Sequence, residues 1–130
     1  MERSGDWLEQ ARSDLAHARN DAQAGFFDWA CFSAQQAAEK AVKAVLMRNG
    51  ADAWGHSVAD LLAELERLYE LPGDIRDAAL ELDKAYIAAR YPDAHPAGSP
   101  SSRYTAHEAA RMVSNAESVH EFCARILFSV

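Results

Sequence analysis

The chain has 130 residues, 49% of them hydrophobic and 25% charged, a balance that suits a folded domain with a real core and excludes wholesale disorder. Its 20 acidic and 13 basic side chains leave a net charge of −7, which repels polyanions at long range, so any contact with RNA has to be local or borrowed from a partner. The opening MERSGDWLEQ lacks the apolar core of a signal peptide, and no run of about 18 apolar residues could span a bilayer; the expectation is a cytoplasmic protein without membrane contact.

Trp7, Ala11, Leu15, Ala18 and Ala22 recur at helical spacing and predict an opening helix that Gly25 interrupts. A second helix is expected from about Asp28 to Asn49, with Gly50 as its stop. Its apolar residues cover much more than one stripe, so it belongs in the middle of a bundle or at a subunit interface. Gln35, Gln36, Glu39, Lys40 and Lys43 fall on its polar parts and are expected to be solvated or interfacial.

In GHSVADLLAELERLYEL, Ser57 can cap a third helix and Asp60 holds the capping-box position, with Val58, Leu61, Leu62, Leu65 and Leu68 as the buried side. Pro72 and Gly73 mark a turn. Ile75, Ala79, Leu82, Tyr86 and Ala89 then predict a fourth helix that ends near Arg90, because Pro92 disfavours helical geometry at Tyr91. A loop, AARYPDAHPAGSPSSRY, follows. Thr105 and Glu108 form a second capping box and open a last helix with Ala109, Met112, Val113, Ala116, Val119, Cys123, Ile126 and Leu127 inward. No segment alternates like a strand, so the chain reads as all-α: one domain, 1–130, folded as an up-and-down antiparallel bundle of about five helices.

Cys31 and Cys123 fall on apolar faces and lack the spacing of a zinc site or disulfide framework, which makes them buried thiols. HEAAR, His107 to Arg111, has Arg111 where a zinc protease needs its second histidine, so no metal is expected. His17 and His120 find no partner by spacing and are expected at the surface or in packing. Arg90 and His95 stand where a helix stops. Arginine there can neutralise the carbonyl end of the helix or pair with Asp93; it can also hold a phosphate, beside a histidine able to move a proton.

The runs DWACFSAQQAAEKAVKAVLMRNG, GHSVADLL and AYIAARYPDAHP, in that order, resemble the HEPN family of small all-helical proteins from Trp7 to the last helix. The resemblance implies a bundle that forms homodimers and is often encoded beside a minimal nucleotidyltransferase as toxin and antitoxin. Active members are metal-independent ribonucleases that use an arginine and a histidine separated by a short spacer. Here Arg90 and His95, with Tyr91, Pro92, Asp93 and Ala94 between them, match that arrangement and are the expected catalytic pair, in a composite site across the dimer axis. Tyr91, Asp93 and Glu39 are the expected substrate-binding residues; no cofactor is implied. Ala97 stands where a related subgroup carries a tyrosine modified with AMP, so that modification is not expected. His56 resembles a histidine common in the family at this place, where pinning the helix entrance is a sufficient role. Tyr86, Tyr91 and Tyr104 surround the loop and could stack on a base or pack on the bundle. Two functions follow: a ribonuclease toxin, or a non-catalytic subunit that binds nucleotide or substrate for a nucleotidyltransferase.

Overall fold

The computed structural model describes residues 1–128; the last two positions of the expected domain lie outside the described residues. The helices are α1 (Ser4–Ala24), α2 (Phe27–Arg48), α3 (Val58–Leu65), α4 (Gly73–Asp83), α5 (Ala85–Ala88), α6 (Pro100–Arg103) and α7 (Ala106–Phe128), with a 3-10 turn at Pro92–Ala94, and no strand occurs among the described residues. The long elements build the predicted bundle; α6 is a short addition in the loop before α7.

Gly25 ends α1 at φ 89°, a left-handed conformation that glycine adopts freely, and its N–H satisfies the Asp21 carbonyl. The chain reverses there and enters α2, which packs against α1, α3, α4, α5 and α7. Ala30, Ala34, Ala37, Ala38, Ala41 and Ala44 of α2 are all fully buried, so neighbouring helices close on it from several sides, as its broad apolar cover predicts.

Burial extends further than the sequence pattern suggests. Gln35, Glu39 and Lys43, expected on solvated or interfacial parts of α2, are 0%, 4% and 8% exposed within this one chain. They escape the cost of buried polarity by pairing with one another and with the segment before α3.

Two boundaries move. α3 ends at Leu65, so Leu68, expected on the buried side, is 54% exposed. The predicted fourth helix breaks at Lys84, where the N–H bonds back to Glu81, and divides into α4 and α5. At the break Asp83 reaches α3. Its carboxylate accepts from the N–H groups of Val58 and Ala59 and from the Ser57 hydroxyl, while the Ser57 oxygen caps the Asp60 N–H. Asp60 therefore does not complete a capping box; Asp83 supplies the carboxylate from another helix. Thr105 and Glu108 do form the expected reciprocal cap on α7.

Candidate functional site

α5 ends as Pro92 dictates. Tyr91 is extended, at φ −124° and ψ 131°, and the Arg90 and Tyr91 N–H groups close the helix on the Ile87 carbonyl. Arg90 turns back along α5 and donates from Nε and Nη2 to the Tyr86 carbonyl at 2.9 and 2.7 Å. Its guanidinium carbon lies 4.4 Å from the Phe32 ring centroid, 4.8 Å from Tyr86 and 5.1 Å from Tyr91. Arg90 thus satisfies the helix end, as one of its expected roles requires, and does so inside an aromatic frame. No ion pair joins it to Asp93, which is exposed in the 3-10 turn.

His95 takes a different direction. Its Nε2 lies 2.6 Å from the Ala88 carbonyl, so Nε2 carries the hydrogen and Nδ1 is left as the acceptor. Its ring meets Tyr104 edge to face at 5.9 Å. Burial, followed by the nearby Cys31, Glu108 and Asp28, pushes the Tyr104 hydroxyl up to about 12, so it stays protonated and packs as a neutral ring. Arg90 and His95 share no hydrogen bond or ring contact among the described residues; each is tied to its own carbonyl of α5.

A different imidazole joins the arginine's surroundings. His56 stacks on Tyr86 with centroids 4.6 Å apart and planes 16° from parallel. Its Nδ1 faces the Glu39 carboxylate at 3.2 and 3.4 Å. Glu39 in turn pairs with Lys43 at 3.1 Å and accepts from Gln35, whose amide also donates to the His56 carbonyl. Glu39, expected to touch substrate, is buried, and it faces His56, whose side chain is 57% exposed. The sequence offered one signal for this pairing: a histidine just ahead of a capped helix, with polar residues one turn apart on an otherwise apolar α2.

The aromatic surface continues along α2. Trp29, 48% exposed, meets Phe32 edge to face at 6.1 Å, and Phe32 lies 6.3 Å from Tyr86. Behind Phe32 is a cleft of ≈ 220 Å³ lined by His17, Trp29, Phe32, Ser33, Gln36 and Lys40 among others. His17, for which spacing offered no partner, bridges the Asp21 carboxylate four residues on and the Ser33 hydroxyl on α2, each at 3.2 Å. This hydroxyl, imidazole and carboxylate chain resembles a nucleophilic triad only in composition. Ser33 lies inside α2, where main-chain N–H groups are committed to the helix and no donor pair faces a developing oxyanion.

The HEPN domain family model matches residues 4–127. The chain is similar to TT1696 from Thermus thermophilus, with 48% identity, 96% of this chain and 98% of that one covered, and a TM-score of 0.93. It is similar to an HEPN domain protein, TM0613, from Thermotoga maritima, at 50% identity with 96% and 99% covered and a TM-score of 0.80. A third solved structure, ST0689, an archaeal HEPN homologue, shares 38% identity over 95% of this chain and 97% of that one, with a TM-score of 0.81. No curated protein matches.

Proposed function

Because this chain belongs to the HEPN domain family, we propose that it is a nucleotide-binding subunit that works beside a nucleotidyltransferase, with the Arg90 surface as its site. The observation that carries this reading is the guanidinium held among the Phe32, Tyr86 and Tyr91 rings beside the exposed Trp29. A planar cation with aromatic neighbours combines the two contacts a nucleotide needs, charge for phosphate and a ring face for the base. The net charge of −7 favours a compact ligand over a long polyanion. Titration of the full chain with ADP and ATP, followed by tryptophan fluorescence, tests it: saturable binding is expected and is lost in Arg90→Ala. No binding by folded protein, alone or mixed with a purified minimal nucleotidyltransferase, would end this reading.

A second reading is the metal-independent ribonuclease toxin, favoured by the Arg90 to His95 spacing and by the unpartnered Nδ1 of His95. Nδ1 could accept the proton of a 2′-hydroxyl as it attacks the adjacent phosphorus. A proton donor would have to protonate the leaving 5′ oxygen, giving a 2′,3′-cyclic phosphate and a free 5′-hydroxyl, while Arg90 held the phosphoryl charge. One His95 cannot fill both roles in one step, so this reading requires a homodimer with two such pairs in one cleft. RNA cleavage in the presence of a chelator, abolished by His95→Ala and by Arg90→Ala, is its signature; intact RNA after long incubation with folded, partner-free protein rejects it.

A further inference from the structure

Two nitrogens beside the Tyr86 ring have no protein partner among the described residues. Arg90 commits Nε and Nη2 to the Tyr86 carbonyl, which leaves Nη1. His56 faces Glu39 with Nδ1, which leaves Nε2. Arg90 Cζ and the His56 ring lie 4.8 and 4.6 Å from the same Tyr86 ring centroid, so both side chains rest against one ring.

We propose that Arg90 and His56 form a clamp for a terminal phosphate monoester, with Glu39 as the positioning residue that holds His56 in its binding tautomer. The proposal rests on the nucleotide-binding reading and names the part of the ligand that is recognised. Glu39 is held as an acceptor by Lys43 and Gln35, so His56 Nδ1 carries a hydrogen. The other ring nitrogen, Nε2, then changes character with protonation: a lone pair that repels an anion when the ring is neutral, a charged N–H donor when it is not. The arrangement is a carboxylate-backed imidazole whose other nitrogen is free for a ligand. The charged groups around the ring are three acidic and two basic: Glu39 and Lys43 on α2, Arg90 after α5, Asp83 through the Ser57 hydroxyl, and Asp60 on α3.

A monoester suits this clamp better than a diester. It carries close to two charges once its second proton leaves, at about pH 6, and so gains from a second cation beside the arginine. An internal RNA phosphate carries one charge and brings a chain of further anions toward a protein of net charge −7.

Calorimetric titration with AMP, against adenosine and a short RNA lacking terminal phosphates, tests the clamp from about pH 5 to about pH 8. AMP is expected to bind more tightly than adenosine or the RNA, and its affinity falls on the acid side as the phosphate gains its second proton, at about pH 6. His56→Gln, at an exposed position, lowers the affinity for AMP by about tenfold and leaves helical content unchanged. Glu39→Gln weakens AMP binding in the otherwise unaltered chain and has no further effect when combined with His56→Gln. If Glu39→Gln fails to fold, as judged by circular dichroism, His56→Gln still decides. AMP binding that needs Arg90 yet keeps its strength in His56→Gln overturns the clamp and leaves the nucleotide reading standing. Adenosine or the RNA binding as well as AMP also overturns it. Absence of AMP binding alongside ADP and ATP binding overturns the clamp alone; absence of all three overturns the reading beneath it.

Discussion

Asp83, at the last position of α4, accepts from the Val58 N–H at 2.6 Å and from the Ser57 hydroxyl at 2.8 Å, and so fastens the start of α3 to the break between α4 and α5. The same contact fixes the chain that carries His56 relative to the chain that carries Tyr86 and Arg90. A carboxylate at a helix N-terminus answers both the unsatisfied N–H groups and the dipole.

Asp83→Ala should therefore cost about 2 kcal/mol, because it orphans the Val58 and Ala59 N–H groups as well as removing a charge-assisted bond. Urea unfolding measures this, and Asp60→Ala serves as the comparison, since its side chain makes no such cap. Equal effects of the two substitutions would contradict the assignment of Asp83 as the cap.

Arg90→Lys keeps the charge and discards the planar fork. The ammonium cannot donate twice to the Tyr86 carbonyl with the same geometry, nor lie flat among Phe32, Tyr86 and Tyr91. Nucleotide affinity should fall about tenfold, with helical content unchanged by circular dichroism. A fully functional lysine variant would mean that only the charge matters.

His120 gives stability a defined pH dependence. Burial, then the nearby Arg12 and Arg19, hold its imidazole below the ordinary histidine value, and its Nε2 is buried with no partner. The unfolded chain takes up a proton below about pH 6.5 while the folded one does not, so stability falls as pH drops through that region until the folded group titrates too. His120→Leu removes this contribution. Denaturation at about pH 7.5 and about pH 5.5 should show the wild type losing more stability than the variant. Equal losses would exclude the mechanism.

Cys31 and Cys123 should react with a thiol reagent only when the fold opens. Burial, with Glu108 and Asp28 adding to it, pushes the Cys31 thiol up to about 12, and burial alone raises Cys123 further. Labelling in native buffer is expected to be negligible and to become complete in denaturant. Fast native labelling of either thiol would place it outside the core.

The helices could be read from the sequence because helical periodicity, Gly25, the Thr105 and Glu108 cap and Pro92 all act within a few residues of where they stand. The family could be read as well, since its three runs survive in order. Leu68 was misread for a local reason: the apolar spacing continues past Leu65, but the helix does not.

Site geometry was legible only in part. The family resemblance pairs Arg90 with His95, whereas folding ties each of them to a different carbonyl and sets both His56 and Arg90 against the Tyr86 ring. Glu39 and Lys43 look solvated on a helical wheel, yet become buried because α2 is covered on several sides. What the sequence determined by itself was where the long helices run and which of their faces are apolar, since those depend on interactions one turn apart. Which polar groups meet was decided by tertiary packing, because Glu39 and His56, or Ser57 and Asp83, come together only once separate helices dock, and nothing local encodes that distance.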